Sequence, residues 1–323
     1  MSTFLFQFGL FQFGHFSVRP ILSEFSPAGA WAGRPVEPCF PSGRNGSGPS
    51  PNCILDTGAP LIEQLRNCFP MPLRVFGQGA LFGEASGAGP PQVLALHGWA
   101  RRGADFRPSL EGFSFVAVDL PGFGATPPPD EVIGGAGYAR VIESVLAEFP
   151  DPAVLVGHSF GGRVAVHLAA AQPERFKGLI LTGVPLLRRE ATATSGMARS
   201  PVVFRAARWA SRLGLVRPAS MERLRRRYGS ADYRAASGVM RGVLVKAVGE
   251  SYEDQLASIT IPVVLLWGAE DQEVPVAVAE GAAAILSAAG AEVRLIVEPG
   301  VGHLLPVVSP EALHRAVGEM IRR

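Results

Sequence analysis

Short apolar segments alternate with longer segments of helical periodicity from about residue 72 to the end of the chain. Several short segments are continuously apolar, as at 154–156, which is the pattern of a central parallel strand buried on both faces. Only the first two, separated by 77–79, are spaced as a hairpin. The alternation predicts an α/β fold with a mostly parallel sheet and helices on both of its faces. The predicted strands are 72–76, 80–84, 92–96, 114–118, 153–156, 179–182, 263–267 and 293–297.

Residues 1–70 differ from this pattern. Phenylalanines in a Gln/Gly context come first and a Gly/Pro/Ser stretch at 41–51 follows, a composition that does not build a packed core. We interpret 1–70 as a low-complexity extension, either disordered or the product of a start site assigned upstream of Met71. The alternative is an interfacial anchor formed by the phenylalanines between Phe4 and Phe16. The folded domain is expected to cover 71–323.

The segment 184–260, between the sixth and seventh predicted strands, is too long for a simple crossover. Breaks near Gly214, Pro218 and Gly229 divide it into several helices, which predicts a helical lid inserted after the sixth strand. Residues 186–246 contain fourteen Arg and Lys against three acidic residues, a net charge of +11. This charge fits a solvated helical face paired with acids elsewhere, or a cationic surface that steers anionic substrates or docks a partner.

Composition narrows the function classes. A formal net charge of +2 over 323 residues argues against nucleic acid as a partner. No apolar run reaches the roughly 18 residues of a membrane span, so no stable membrane insertion is expected. All three cysteines precede residue 70, and no basic residue precedes Arg19, so we predict a cytoplasmic protein without an export signal.

A candidate nucleophile follows the strand 153–156. The segment 157–162 reads G-H-S-F-G-G and leads into a helical run at 163–170. This G-x-S-x-G pattern in a strand-turn-helix context predicts a sharp, strained turn that exposes Ser159 at the carboxyl end of the sheet. The five-residue pattern alone is a moderate signal, so the flanking strand and helix carry most of the weight. A serine hydroxyl also needs a positioned base and an acid that orients that base.

His303 and Asp271 are the candidates for these two roles. His303 lies in a glycine-rich loop after the last predicted strand, where we expect a general base. Asp271 follows the strand 263–267, with Glu270 and Glu273 as alternative acids. Of the remaining histidines, His158 and the mid-helix His167 are expected to pack, and His97 is expected to shape the turn after the third strand. Asp119 is expected to cap a turn. His314 lies in the final predicted helix and His15 in the extension.

Two backbone N–H groups are candidates for an oxyanion hole. One belongs to Phe160, directly after the predicted nucleophile, and the other to Trp99 in the loop after the third strand. Gly98 allows the tight turn there. The alternative is that Trp99 only packs against the lid.

These segments occur in the order His97-Gly98-Trp99, D-L-P-G-F-G at 119–124, the elbow at 157–162, Gly268 with Asp271, and Gly302-His303. Over residues 72–323 the chain therefore resembles the α/β-hydrolase family. The resemblance implies eight strands with the second antiparallel, a helical lid after the sixth, and a Ser159-Asp271-His303 triad. A serine at the elbow argues against the dehalogenase and epoxide-hydrolase chemistry of relatives with aspartate there.

The sequence thus predicts a serine hydrolase that cleaves a carboxylic ester or related acyl bond of a small molecule through an acyl-enzyme. Carbon–carbon bond hydrolysis or acyl transfer by the same triad remains open, as does a ligand sensor on the same fold. No metal cluster or nucleotide-binding glycine pattern is present in the sequence, so no cofactor and no metal are expected.

Overall fold

The computed structural model describes residues 73–187 and 231–323. The predicted extension at 1–70 lies outside the described residues, as does the part of the predicted lid between 188 and 230. The disordered extension and the helical lid therefore remain predictions from the sequence.

All eight predicted strands are present, with ends that differ from the sequence-based bounds by a few residues. They are β1 (Arg74–Phe76), β2 (Leu81–Ser86), β3 (Val93–Leu96), β4 (Phe115–Asp119), β5 (Ala153–His158), β6 (Phe176–Thr182), β7 (Val263–Gly268) and β8 (Val293–Glu298). The largest difference is at β6, which begins at Phe176 and not at residue 179, because Lys177 and Gly178 interrupt the apolar pattern from which the strand was predicted.

The strands form one sheet in the order β1-β2-β4-β3-β5-β6-β7-β8. β2 is antiparallel to β1 and to β4, and every other neighbouring pair is parallel. This topology confirms the predicted eight-stranded, mostly parallel sheet. The carboxyl ends of β3 to β8 consequently meet at one edge, and the loops that follow them share that edge. Leu96 pairs with Gly157, and His158 pairs with Thr182, so three of these loops start at the same level.

Helices cover both faces of the sheet. They are α1 (Arg107–Leu110), α2 (Gly135–Glu143), α3 (Phe160–Ala171), α4 (Ala231–Ala235), α5 (Gly238–Gly249), α6 (Glu253–Leu256), α7 (Val276–Ala288), α8 (Leu305–Val308) and α9 (Pro310–Ile321). Side chains alternate along each strand, so Leu155 joins one apolar core while Val154 and Val156 join the other. Within the described ranges no helix combines the length and hydrophobicity that a bilayer span requires.

The described part of the segment between β6 and β7 contains α4, α5 and α6. Polar contacts join its ends to the core. Tyr252 donates its backbone N–H to Leu186 O at 3.0 Å, and Arg163 of α3 donates to Ala247 O. Glu250 accepts from Tyr252 Oη at 2.8 Å and from the amide of Gly135 at 3.1 Å. These five residues with Gly135 are called the lid stem below.

Candidate active site

The turn at Ser159 joins the end of β5 to the start of α3. Its backbone has φ 49° and ψ −112°, a conformation that L-residues rarely adopt and that costs about 1–3 kcal/mol. Two hydrogen bonds hold it: Ser159 N–H donates to Thr182 O at 2.9 Å, and Gly162 N–H donates to Ser159 O at 3.1 Å. Neighbouring β6 and the first turn of α3 therefore fix the strained conformation that the sequence predicted.

Three glycines let α3 lie this close to the sheet. A Cβ on Gly161 would lie 2.1 Å from the Leu96 carbonyl oxygen, and one on Gly157 would lie 2.5 Å from Gly162 Cα. A Cβ on Gly162 would lie 2.2 Å from Val184 Cγ2. The glycines are thus required by close contact with backbone and core atoms, as the motif predicted.

The three side chains predicted to act together lie in hydrogen-bonding contact. His303 Nε2 is 3.1 Å from Ser159 Oγ, and His303 Nδ1 is 2.8 Å from Asp271 Oδ2. A carboxylate only accepts, so Nδ1 donates to Asp271, which leaves Nε2 to accept from the serine hydroxyl. The Asp271 side chain is 1% exposed and that of His303 11%. The arrangement can remove a proton from Ser159 and stabilise the resulting imidazolium.

Asp271 is oriented by its own loop. Its Oδ1 accepts the backbone N–H groups of Glu273 at 2.9 Å and Val274 at 2.8 Å, which leaves Oδ2 for the imidazole. Trp267 Nε1 donates to Val274 O at 2.8 Å and ties the loop to β7. Of the alternative acids, Glu270 is exposed, and the Glu273 carboxylate lies 3.6 Å from Nε2, the other ring nitrogen. Asp271 is the candidate acid that contacts Nδ1.

The pKa of His303 is raised above its ordinary value. Burial by itself lowers this pKa, but the hydrogen bond to Asp271 and the charges of Asp271, Glu273 and Asp232 together outweigh burial. Space for the ring comes from Gly183, where a Cβ would lie 3.0 Å from His303 Nδ1. Gly183 was not predicted from the sequence, and the local feature that marks it is a glycine directly after the end of β6.

Two other histidines near the site stay neutral. Burial lowers the pKa of His158 to about 3 and that of His97 to about 4. His158 Nδ1 donates to Thr182 O at 3.1 Å, and its ring centroid lies 5.1 Å from that of His303. His97 Nδ1 donates to Gly98 O at 2.7 Å, and its Nε2 accepts the Leu120 amide at 2.9 Å. His97 thus shapes the loop after β3, and His158 packs, as predicted for both residues.

The residues whose N–H groups are proposed for an oxyanion hole lie close to Ser159: Phe160 follows it directly, and a Cβ on Gly98, the residue before Trp99, would lie 3.3 Å from Ser159 Cβ. Phe160 begins α3, where the first N–H groups of a helix lack an intrahelical acceptor. Within the described ranges, neither the Phe160 nor the Trp99 N–H donates to another group. The indole of Trp99 packs edge-on against the rings of Phe123 and Phe160, with centroids 4.9 and 5.4 Å apart. Ala100, at φ 55°, closes the turn that carries Trp99.

Further side chains near the elbow were not anticipated from the sequence. Tyr138 of α2 packs edge-on against Phe160 at 4.9 Å and donates its hydroxyl to Pro121 O at 2.9 Å. Met240 of α5 places its sulfur 3.8 Å from the Tyr138 hydroxyl and lies over Gly122. No local motif marks Tyr138 or Met240. Together with Trp99 and Phe160 they form an apolar and aromatic wall beside the elbow, called the aromatic wall below.

Within the described ranges, no group of three or more His, Cys, Asp or Glu side chains is placed to hold a metal ion.

The sequence model described as "Alpha/beta hydrolase family" matches residues 93–316. The chain is similar to a pimeloyl-[acyl-carrier protein] methyl ester esterase of Chromobacterium violaceum, with 38% identity over 127 residues. That alignment covers 38% of this chain and 48% of the relative. The chain therefore matches about half the length of that protein.

Solved structures resemble the fold over most of the chain. A thermophilic esterase from Thermogutta terrifontis, solved with malate bound, is 24% identical at a TM-score of 0.55 and covers 78% of this chain and 98% of its own. An esterase from Exiguobacterium antarcticum is 20% identical at a TM-score of 0.58, covering 79% and 100%. At these identities the likeness shows the fold.

Proposed function

The chain belongs to the alpha/beta hydrolase family, and from this premise we propose that it is a serine-dependent hydrolase of carboxylic esters or related acyl bonds of a small molecule. The observation that carries the proposal is the continuous contact from Ser159 Oγ through His303 to Asp271, at 3.1 and 2.8 Å. The esterase relative, matched over half its length, supports the same reaction class. We also keep the prediction of a cytoplasmic location, which rests on the cysteine distribution.

In the proposed reaction, Ser159 Oγ attacks the acyl carbonyl while His303 Nε2 takes the hydroxyl proton. The carbonyl oxygen becomes an oxyanion and accepts hydrogen bonds from the backbone N–H groups of Trp99 and Phe160. Asp271 remains ionised and stabilises the imidazolium through Nδ1. The intermediate collapses, the bond to the leaving oxygen breaks, and His303 protonates the departing alcohol. Ser159 then carries the acyl group.

Deacylation repeats these steps with water. His303 Nε2 takes a proton from the water as its oxygen attacks the acyl carbon, and the second oxyanion forms in the same position. Collapse returns the proton to Ser159 Oγ and releases the acid. Every proton transfer is made by side chains of this chain, so the scheme requires no cofactor.

For the substrate we propose an ester whose acyl group is apolar near the scissile bond. The aromatic wall supports this choice, because Trp99, Phe160 and Met240 lie beside the elbow and can contact a hydrocarbon chain. The methyl ester of a carrier-bound acyl chain, which the relative's name specifies, is one member of this class.

Fluorophosphonate labelling followed by a panel of p-nitrophenyl esters tests the proposal. The wild type should label and turn over, whereas Ser159→Ala should neither label nor turn over above about 10⁻⁴ of the wild-type rate. Ser258→Ala, an exposed serine on the described surface, is the matched control and should behave as wild type.

Equal labelling of wild type and Ser159→Ala would remove Ser159 from its role. Labelling without multiple turnover of any ester would favour a ligand sensor, and transfer of the acyl group to an alcohol in preference to water would favour acyl transfer.

A further inference from the structure

The Glu273 carboxylate lies at the solvent side of the His303 ring. Its Oε2 is 3.6 Å from Nε2, and the Glu273 side chain is 71% exposed. The backbone N–H of the same residue donates to Asp271 Oδ1 at 2.9 Å. The peptide of Glu273 is therefore fixed by the buried carboxylate, and the imidazole has one carboxylate at each nitrogen.

The charges that act on His303 from the described residues are mainly negative. Asp271 and Glu273 come from the loop after β7, and Asp232 acts from the first turn of α4. His158, which packs against the His303 ring from the end of β5, is neutral at ordinary pH because burial lowers its pKa to about 3. Glu273 is the acid that approaches Nε2, the nitrogen facing Ser159.

Nε2 faces Ser159, where the proposed reaction converts a neutral ester into an acid. The product acid is an anion at neutral pH. A carboxylate beside Nε2 attracts the imidazolium that forms during each proton transfer. The same carboxylate repels an anionic group on the acyl chain and repels the anionic product.

We infer that Glu273 is a positioning and specificity residue: it holds a second carboxylate against the Nε2 side of His303, and it selects esters with uncharged acyl groups over esters that carry a carboxylate near the scissile bond. This inference rests on the proposed function and names a property of the same site.

A pair of methyl esters tests the selection. Methyl butyrate and monomethyl succinate have acyl chains of similar length and differ in a terminal carboxylate, and both release methanol, which can be measured directly. The quantity compared is the ratio of kcat/KM for the neutral ester to kcat/KM for the anionic one. Wild type should prefer methyl butyrate, and Glu273→Gln should lower the ratio about threefold to tenfold at low salt. High salt should reduce that effect.

Glu270→Gln is the matched control. It removes one negative charge from an exposed side chain of the same loop and should leave the ratio within about twofold of wild type, since exposed charges are screened by solvent and Glu270 is not among the main charges that act on His303. Glutamine at position 273 keeps the backbone N–H that orients Asp271, so the fold and the acid are retained. Equal ratios in the two glutamine variants overturn the inference.

An NMR titration of isotope-labelled histidine gives a second measurement that needs no turnover. Glu273→Gln should lower the pKa of His303, because the imidazolium loses a neighbouring negative charge, and Glu270→Gln should leave it as in wild type. An unmoved titration in Glu273→Gln overturns the inference. Wild type that cleaves neither ester, nor any p-nitrophenyl ester, contradicts the proposed function instead, and the titration then decides alone whether Glu273 acts on the imidazole.

Discussion

The elbow and the lid stem both contact α3, but they are held by different forces. At the elbow, backbone meets backbone: Gly161 lies against the Leu96 carbonyl, and Ser159 is kept in a strained conformation by its neighbours. At the lid stem, a side chain makes the contact. Arg163 reaches the Ala247 carbonyl and its guanidinium lies 5.8 Å from the centre of the Tyr252 ring.

The histidines show the same contrast. His303 beside the elbow has a raised pKa, because Asp271 and Glu273 outweigh the effect of burial. His167, which packs edge-on against Tyr252 at the stem, has a lowered pKa because burial dominates there. The region proposed for chemistry favours the charged form of its histidine, and the surroundings of His167 disfavour the charged form. Variants should therefore separate effects on rate from effects on stability.

Asp271→Asn should have the largest effect, on rate alone. The amide can donate to Nδ1, which favours the tautomer with its proton on Nε2, so His303 can no longer accept from Ser159. We expect kcat to fall by about 10⁴-fold with little change in the melting temperature. Steady-state kinetics and thermal unfolding measure the two quantities. Asp254→Asn, which alters an exposed acid of α6, is the control, and an unaffected rate in Asp271→Asn would contradict the role of Asp271 as the orienting acid.

Gly161→Ala should act on the fold. Its Cβ would lie 2.1 Å from the Leu96 carbonyl oxygen, so α3 must move away from β3, at a cost of about 3 kcal/mol or more in the free energy of unfolding. Gly249→Ala is the control, because it also replaces a helical glycine and nothing lies within 4 Å of its Cβ. Denaturant unfolding compares the two, and equal stability would show that the elbow tolerates a side chain.

Arg163→Met should have the smallest effect of the three and should loosen the stem. The variant keeps most of the aliphatic part of the side chain and removes the charged donor to Ala247 O. The free energy of unfolding should therefore fall by about 2 kcal/mol. Hydrogen exchange in α5 should increase while kcat changes less than about tenfold. Arg140→Met, an exposed arginine of α2, is the control. A loss of rate as large as that of Asp271→Asn would contradict the separation of stem and elbow.

The sequence predicted the parts of the fold that depend on local pattern. Continuous apolar residues at 153–156 marked β5, and the glycines around Ser159 marked the elbow. Asp271 and His303 could be chosen because each follows an apolar strand, and the carboxyl ends of parallel strands meet at one edge. The start of β6 was missed, since Lys177 and Gly178 interrupt its apolar pattern.

Contacts between residues far apart in the sequence could not be predicted from the sequence pattern. Arg163 is 84 positions from Ala247, and Tyr138 is 102 positions from Met240. No periodicity or motif links such pairs, because a helix face specifies only that a side chain is buried and not which partner it meets.

By itself the sequence determined the strand order along the chain, the strained turn at Ser159 and the identity of the residues expected at the sheet edge. These follow from hydrophobic periodicity and from the limited backbone conformations of non-glycine residues, which are local properties. Only the tertiary structure decided that Asp271 faces Nδ1 and Glu273 faces Nε2, two residues apart on one loop. Which ring nitrogen a carboxylate meets depends on the packing of β7, β8 and Gly183 around the imidazole, and that packing is a property of the assembled sheet.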